Sequence, residues 1–124
     1  MSVLLLISTA ACASAGSSKH HSSSDKLTRS ELANSNTTNA YDAIARLRPN
    51  WLRPTGTASI GGGVRGQLIL IYIDNQRAED LYALKNISTG MIESAEWVDA
   101  ARVATVLNNV PSGSYSGAIL IKTH

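Results

Sequence analysis

The sequence predicts an α+β domain, in which short helices pack on a small mixed β-sheet. The chain has 124 residues, the usual length of one domain. Its second half alternates apolar runs with short helical patterns, in the order strand, helix, strand, helix, strand. Apolar residues make up 44% of the chain without a single Phe, so we expect a small core of aliphatic side chains.

The composition argues against several classes of function. A formal net charge of +2 gives no strong attraction to nucleic acid or to anionic lipid. No apolar run approaches the roughly 18 residues of a membrane-spanning helix. The single cysteine allows neither an internal disulfide nor a cysteine-rich metal cage. We therefore expect no nucleic-acid partner, no metal and no cofactor.

The N-terminal segment 1–12 is expected to direct export. Met1–Ile7 is a short apolar run, and Thr9–Cys12 resembles the lipobox of bacterial lipoproteins, where small residues precede a lipidated cysteine. We expect lipidation of Cys12 and a lipid anchor at the outer membrane. Two alternatives stay open: secretory cleavage after Ala13–Ala15, giving a periplasmic or secreted protein, and a buried cysteine in a cytosolic chain. The missing basic n-region also leaves the true start of the chain open.

Residues 13–27 are expected to form a flexible tether. This stretch is rich in serine, and it cannot bury enough apolar surface to offset the entropy lost on ordering. His20 and His21 lie within it, but two adjacent histidines on a mobile linker do not make a preorganised metal site. A flexible tether is therefore a better interpretation of this stretch than a metal site.

Two helices are predicted at the start of the domain. Thr28 and Glu31 have the spacing of a capping box, which predicts a short helix through Ala33. A second helix is predicted from about Asn36–Thr38 until Pro49, because apolar positions recur at helical spacing and proline disfavours helix in the preceding residue.

Basic residues near the second helix form a loose cluster: Arg46, Arg48, Arg53 and Arg65. Aromatic residues are sparse around them and no nucleic-acid motif is present, so we expect a solvated surface, with Arg46 and Arg48 pointing away from the core. Trp51 is expected to fold back and seal one end of the core, since it offers a large apolar area.

A glycine-rich loop is predicted at 54–66. Gly61–Gly63 suggests a phosphate-binding loop, but no Gly-Lys-Ser/Thr follows and no helix begins where the loop ends. We expect a surface loop.

The next segment reads as a hairpin followed by a helix. Gln67–Ile73 is a continuous apolar run, typical of a central strand covered on both faces. Asp74 and Asn75 have turn chemistry, and Gln76–Ala78 can return as a very short strand. Glu79–Asn86 reads as a two-turn helix. Its predicted inward positions are Leu81, Leu84 and Ile87.

The last segment reads as strand, helix and strand. Met91–Val98 is the second long strand, and its broken alternation predicts a bulge. Asp99 is expected to cap a short helix over Ala100–Leu107, which Asn108–Asn109 can end in a left-handed conformation. Ala118–Thr123 is a closing apolar strand.

Four segments in this order carry a family resemblance: Ile71–Asn75, the spaced Leu81, Leu84 and Ile87, Ile92–Trp97, and Gly117–Thr123. Together they resemble the plug domain of TonB-dependent outer-membrane receptors. Asn75 replaces the glycine that is usual after the aspartate. Leu107–Asn108 stands where the family has Tyr-Gly after its Ala-rich helix.

The resemblance implies a plug-like domain over 28–124, divided into a helical lead-in at 28–53, the glycine-rich loop at 54–66 and a plug-like core at 67–123. In receptors the plug lies inside a β-barrel of the same chain. No barrel segment accompanies the domain in this sequence, so we expect a freestanding plug-like module. A plug-like fold by itself does not indicate a transport function.

No catalytic constellation is predicted. The histidines lie in the tether or at the C-terminus, and Ser112–Ser114 lacks the context of a nucleophile elbow. Glu93 and Glu96 are three apart on a strand, which places them on opposite faces unless a bulge intervenes. The carboxylates at 74 and 99 are expected to serve a turn and a helix cap.

These observations predict a non-enzymatic exported interaction module, an envelope lipoprotein that docks on an outer-membrane barrel or another envelope protein. The alternative is a structural envelope lipoprotein, or a receptor relic, with no specific ligand. An exposed apolar patch near Trp51, Tyr82 or Tyr115 favours docking. Whether the strand Met91–Val98 lies at a sheet edge open to strand addition stays open.

Overall fold

The computed structural model describes residues 25–54 and 68–124. In these residues the strands are β1 Lys26–Thr28, β2 Leu68–Ile73, β3 Gln76–Ala78, β4 Ile92–Asp99 and β5 Tyr115–Thr123. The α-helices are α1 Arg29–Ala33, α2 Ala40–Leu47 and α3 Ala100–Val106, and 3-10 helices span Pro49–Leu52, Leu81–Asn86 and Thr89–Met91. The predicted α+β class, a mixed sheet with short helices, is confirmed.

The five strands form one sheet in the order β1-β4-β5-β2-β3. β2 and β5 run parallel, whereas the other neighbouring pairs are antiparallel. The parallel pair requires a crossover, which the segment from β3 to α3 supplies. The strand Met91–Val98 of the sequence prediction corresponds to β4, which lies between β1 and β5 and is therefore not an edge strand.

Apolar side chains cover both faces of the sheet. One face packs under α1 and α2 and includes Leu27, Ile71 and Ile119. The other packs under α3, where Tyr72 and Val98 belong to a second cluster. Successive residues of a strand point to opposite faces, so the continuous apolar run of β2 is explained by burial on both sides, as predicted.

Trp51 seals the α1 and α2 side of the core. Its side chain is buried, and its ring lies against that of Trp97 with centroids 6.4 Å apart. The prediction from its large apolar area is confirmed.

The N-terminal boundary of the folded part differs from the prediction. Lys26 and Leu27 are predicted as the end of the tether, but they form β1, which pairs with β4. Leu27 is fully buried in the core. The predicted capping box follows directly: the Thr28 side chain accepts from the Glu31 backbone N–H, and the Glu31 carboxylate accepts from the Thr28 backbone N–H at 2.8 Å.

The second helix begins later than predicted. Asn36 has φ 55°, a left-handed conformation that cannot start a helix. The cap is Asn39, whose Oδ1 accepts from the Asp42 backbone N–H at 2.9 Å. Arg48 also departs from the prediction, because it is half-buried at the end of α2 and its Nη2 lies 3.4 Å from Oε1 of Glu31.

The hairpin between β2 and β3 turns at Asp74 and Asn75, with φ 48° and 68°. Two positive φ values are what a two-residue type I′ hairpin requires, and Asn and Asp tolerate them. Asp74 also reaches across to the end of β5. Its carboxylate accepts from the backbone N–H of Thr123 at 2.8 Å and from the Thr123 hydroxyl at 2.6 Å.

The helix predicted over Glu79–Asn86 is a 3-10 helix, Leu81–Asn86, capped by Asp80. A 3-10 helix has three residues per turn, which aligns residues spaced by three. Leu84 is buried, and the two apolar residues three positions on either side of it pack against the same core. The predicted inward face is confirmed, and the helix begins at Leu81, two residues later than predicted.

The C-terminal elements follow the prediction closely. The register between β4 and β5 shifts between Ile92 and Ser94, which confirms the bulge. Asp99 caps α3 by accepting from the Arg102 backbone N–H at 3.0 Å. Asn109 has φ 57°, the left-handed conformation expected after the helix. β5 begins at residue 115, three residues earlier than predicted.

Candidate functional site

An apolar concavity lies beside β2, at the point where β3 ends. We call it the β2 groove. Its volume is about 390 Å³, within the range of ligand pockets. It is lined by Pro54, Leu68, Ile69, Leu70, Arg77, Ala78, Glu79, Asp80, Leu81 and Tyr82.

The groove exists because β3 is half as long as β2. β3 pairs only with Ile71–Ile73, and the chain bends away at Glu79 and Asp80. Asp80 then caps the 3-10 helix by accepting from the backbone N–H of Tyr82 at 2.9 Å. The cap fixes the point at which the helix begins, and so places Leu81 and Tyr82 beside the open half of β2.

Two large hydrophobic side chains of the groove are strongly exposed. Leu68 and Tyr82 are each 67% exposed. Met91 and Val106 are also exposed, but neither lines the β2 groove. Paired exposed apolar residues in a concave surface are more informative than single ones, which occur on every protein.

Charged side chains surround the groove. Arg77 and Glu79 are exposed at its rim, and neither takes part in the ion pairs found within the described residues. Lys85 lies with its Nζ 4.9 Å from the ring centroids of both Tyr41 and Tyr82. These cation–π contacts hold the Tyr82 ring at the mouth of the groove.

A second, smaller concavity of about 240 Å³ lies on the α3 side of the sheet, next to Asp74, Glu96 and Lys122. The carboxylate of Asp74 is hydrogen-bonded to Thr123, and both of its oxygens accept hydrogen bonds from that residue. These hydrogen bonds, chiefly that from the Thr123 hydroxyl, hold the pKa of Asp74 below its ordinary value. The carboxylate thus has a structural role.

The aromatic residues named for a docking patch fall into different environments. Trp51 is buried and Tyr115 is half-buried, so neither presents a large free surface. Tyr82 alone of the three is strongly exposed, and it lines the β2 groove. Leu68, a residue that the sequence reasoning did not single out, lines the same groove.

Three of the carboxylates considered for catalysis, at positions 74, 93 and 99, have structural partners. Asp99 caps α3, as predicted. Glu93 lies at the bulge of β4, with its Oε2 3.6 Å from Nζ of Lys122. Within residues 25–54 and 68–124, no group of three or more His, Cys, Asp or Glu side chains is placed to hold a metal ion. No helix in the same ranges has the length and apolarity needed to cross a membrane.

Several predicted features lie outside the described residues. They are the export segment 1–12 with Cys12, the tether as far as residue 24 with His20 and His21, most of the glycine-rich loop with Gly61–Gly63 and Arg65, and Gln67.

Comparison with protein-family models, curated proteins and solved structures finds no match to this chain.

Proposed function

We propose that this protein is a non-enzymatic exported interaction module with a plug-like domain, an envelope lipoprotein that docks on an outer-membrane protein or complex. The observation that carries the docking proposal is the β2 groove, with Leu68 and Tyr82 both 67% exposed. Leaving such side chains in water forgoes roughly 1.5–3 kcal/mol of transfer free energy for each one that could be buried. A partner that covers them recovers part of this free energy.

The plug-like part of the proposal rests on the four segments that resemble receptor plugs. In the fold, Ile71–Asn75 ends β2 at a two-residue turn, Ile92–Trp97 lies in β4, and Gly117–Thr123 lies in β5. These three segments belong to adjacent parts of one sheet. Export and anchoring rest on the sequence around Cys12 alone.

Position-specific crosslinking in the native envelope tests the docking proposal. A photo-crosslinking residue in place of Tyr82 is expected to capture an outer-membrane barrel or another envelope protein. The same residue in place of Val106, which is 49% exposed on α3, is the matched control and should capture much less. Capture from position 82 should also fall when Leu68→Ser is added, whereas Met91→Ser should leave it unchanged.

The anchor is tested in the same experiment with Cys12→Ser. If lipidation holds the protein at the membrane, this variant should leave the membrane fraction and its crosslinking yield should fall. Equal capture from positions 82 and 106, or none from either, would contradict docking through the groove and favour the structural or relic alternative.

A further inference from the structure

Among residues 25–54 and 68–124, the first half of β2 carries backbone groups that no neighbouring strand satisfies. β2 pairs with β5 from Leu68 to Ile73, with a shift of register between Leu68 and Ile69 and regular pairing from Ile69 onward. On its other side, β3 pairs only with Ile71–Ile73. The first three residues of β2 therefore have a strand neighbour on one side only, within the described part of the chain.

The direction of these backbone groups follows from two hydrogen bonds. The backbone N–H of Leu68 donates to the Ser114 carbonyl at 3.3 Å, and that of Asp74 donates to the Ile121 carbonyl at 2.9 Å. Both point toward β5, and backbone groups alternate in direction along a strand. The even-numbered residues thus face β5, and the N–H and C=O of Ile69 face the β2 groove.

An unpaired peptide group at the floor of an apolar groove favours one kind of ligand. Its donor and acceptor lose favourable contacts with water when an apolar molecule covers them, which costs free energy unless new hydrogen bonds form. An extended peptide supplies both a carbonyl and an N–H at the required spacing, together with side chains that fill the groove.

We propose that a short extended segment of a partner protein adds to the sheet beside β2, in line with β3, and pairs with the backbone of Ile69. This inference rests on the proposed docking function and specifies how docking occurs. A side chain of the partner on the same face as Ile69 meets Leu81 and Tyr82, so that position takes an apolar residue. Arg77 and Glu79 at the rim match flanking side chains of opposite charge.

The size of the open edge argues for a peptide segment rather than a second copy of this chain. Three strand residues span only about 10 Å. A stable pair of globular copies needs about 800 Å² of buried surface on each partner, far more than this edge offers. Self-pairing is therefore an outcome of the test and not the expectation.

The test uses the full chain and a synthetic peptide, acetyl-Lys-Thr-Val-Leu-Val-Thr-Glu-amide. Two versions carry N-methyl groups on alternate residues, one along each edge of the extended peptide. Strand addition uses only one edge of the peptide. The version that is methylated along this edge should bind at least about tenfold more weakly than the parent peptide, whereas the other version should bind within about twofold of it. Equal affinity of the two methylated versions, or no binding of the parent peptide, would overturn strand addition.

Amide hydrogen exchange gives a second readout. In the free protein the Ile69 amide should exchange rapidly, whereas those of Leu70 and Tyr72, which face β5, should be protected. The peptide should slow exchange at Ile69 by about tenfold or more at saturation. Unchanged exchange at Ile69 in the peptide complex would overturn the inference. Slower exchange at Ile69 on raising the protein concentration without peptide would also overturn it, because the occupant would then be a second copy of this chain.

These outcomes are separate from those of the crosslinking experiment. If position 82 captures a partner but the methylated peptides bind equally, docking stands and strand addition is wrong. If the peptide pairs with Ile69 but nothing is captured in the envelope, the groove binds strands and the proposed cellular function fails.

Discussion

At the scale of single residues, Gly117 shows how tightly two strands and a ring pack. A Cβ at this position would lie 2.6 Å from the Val98 carbonyl oxygen and would overlap the ring of Trp97. The Trp97 ring in turn stacks on Trp51 in the core. Glycine is thus required here because neighbouring atoms leave no room for a Cβ. Its backbone conformation is not the reason, since its φ lies outside the left-handed range.

Gly117→Ala should destabilise the protein by about 1–3 kcal/mol, because the added methyl group overpacks the contact between β5 and β4. Denaturant unfolding measures the loss, and the near-ultraviolet circular dichroism of the stacked tryptophans should change with it. Gly90→Ala is the matched control, since its Cβ would meet only Ser88 Oγ at 3.7 Å. Equal stability of the Gly117 and Gly90 variants would show that β4 and β5 can make room for the methyl group without loss of unfolding free energy.

At the scale of elements, β1 shows where local patterns stop being informative. It is three residues long, follows a polar stretch and has no apolar alternation to identify it. Its position is decided by β4, since Leu27 pairs with Ala95 and both are fully buried. The adjoining helix, in contrast, is identified by its own capping box, a contact between residues three apart.

Leu27→Ala should lower the free energy of unfolding by about 2–5 kcal/mol, the usual cost of removing a buried leucine side chain. Thermal or denaturant unfolding of the full chain measures it. Lys26→Ala, at an exposed position of the same strand, should change stability by less than about 0.5 kcal/mol. If the two variants are equally stable, β1 does not belong to the core.

The length of β3 is the element-level feature that creates the candidate site. Its turn and its three residues are predictable from Asp74, Asn75 and the residues that follow. The bend at Glu79 and the cap at Asp80 then end the strand, which leaves Ile69 without a partner on that side in the described structure. Tyr82 could be named from the sequence as an exposed aromatic, but Leu68 looks like any core residue of an apolar run.

At the scale of the whole molecule, two carboxylates link distant parts of the fold and make stability depend on pH. Asp74 joins the β2–β3 turn to the end of β5. Glu31 joins the start of α1 to Arg48, and its pKa is lowered chiefly by the hydrogen bond from the Thr28 backbone N–H. A pKa lowered in the folded state means that folding favours the ionised carboxylate.

Stability should therefore be full above the ordinary pKa values, 3.8 for Asp74 and 4.5 for Glu31, and should fall as the pH drops through the lower folded values. Asp74→Asn should be less stable than the wild type near neutral pH and should lose less stability on acidification. Melting temperatures between about pH 7 and pH 2 measure both effects.

Thr123→Val is the matched variant, because it removes the hydroxyl donor but keeps the backbone N–H that Asp74 accepts. Its acid-dependent loss should lie between those of the wild type and Asp74→Asn. The link between the turn and β5 would be unimportant if all three proteins lost stability in parallel as the pH falls.

Features that depend on neighbours a few residues apart in the chain are predictable from the sequence. They include the capping box at Thr28, the Asp74–Asn75 turn, the cap at Asp99 and the apolar runs of the long strands. The tertiary structure was needed to show which strands pair, where β1 and α2 begin, and that the half of β2 beyond the short β3 has no strand neighbour on that side among the described residues. Strand pairing joins residues far apart in the chain, and a sheet edge is open or closed according to a neighbour that no local pattern contains.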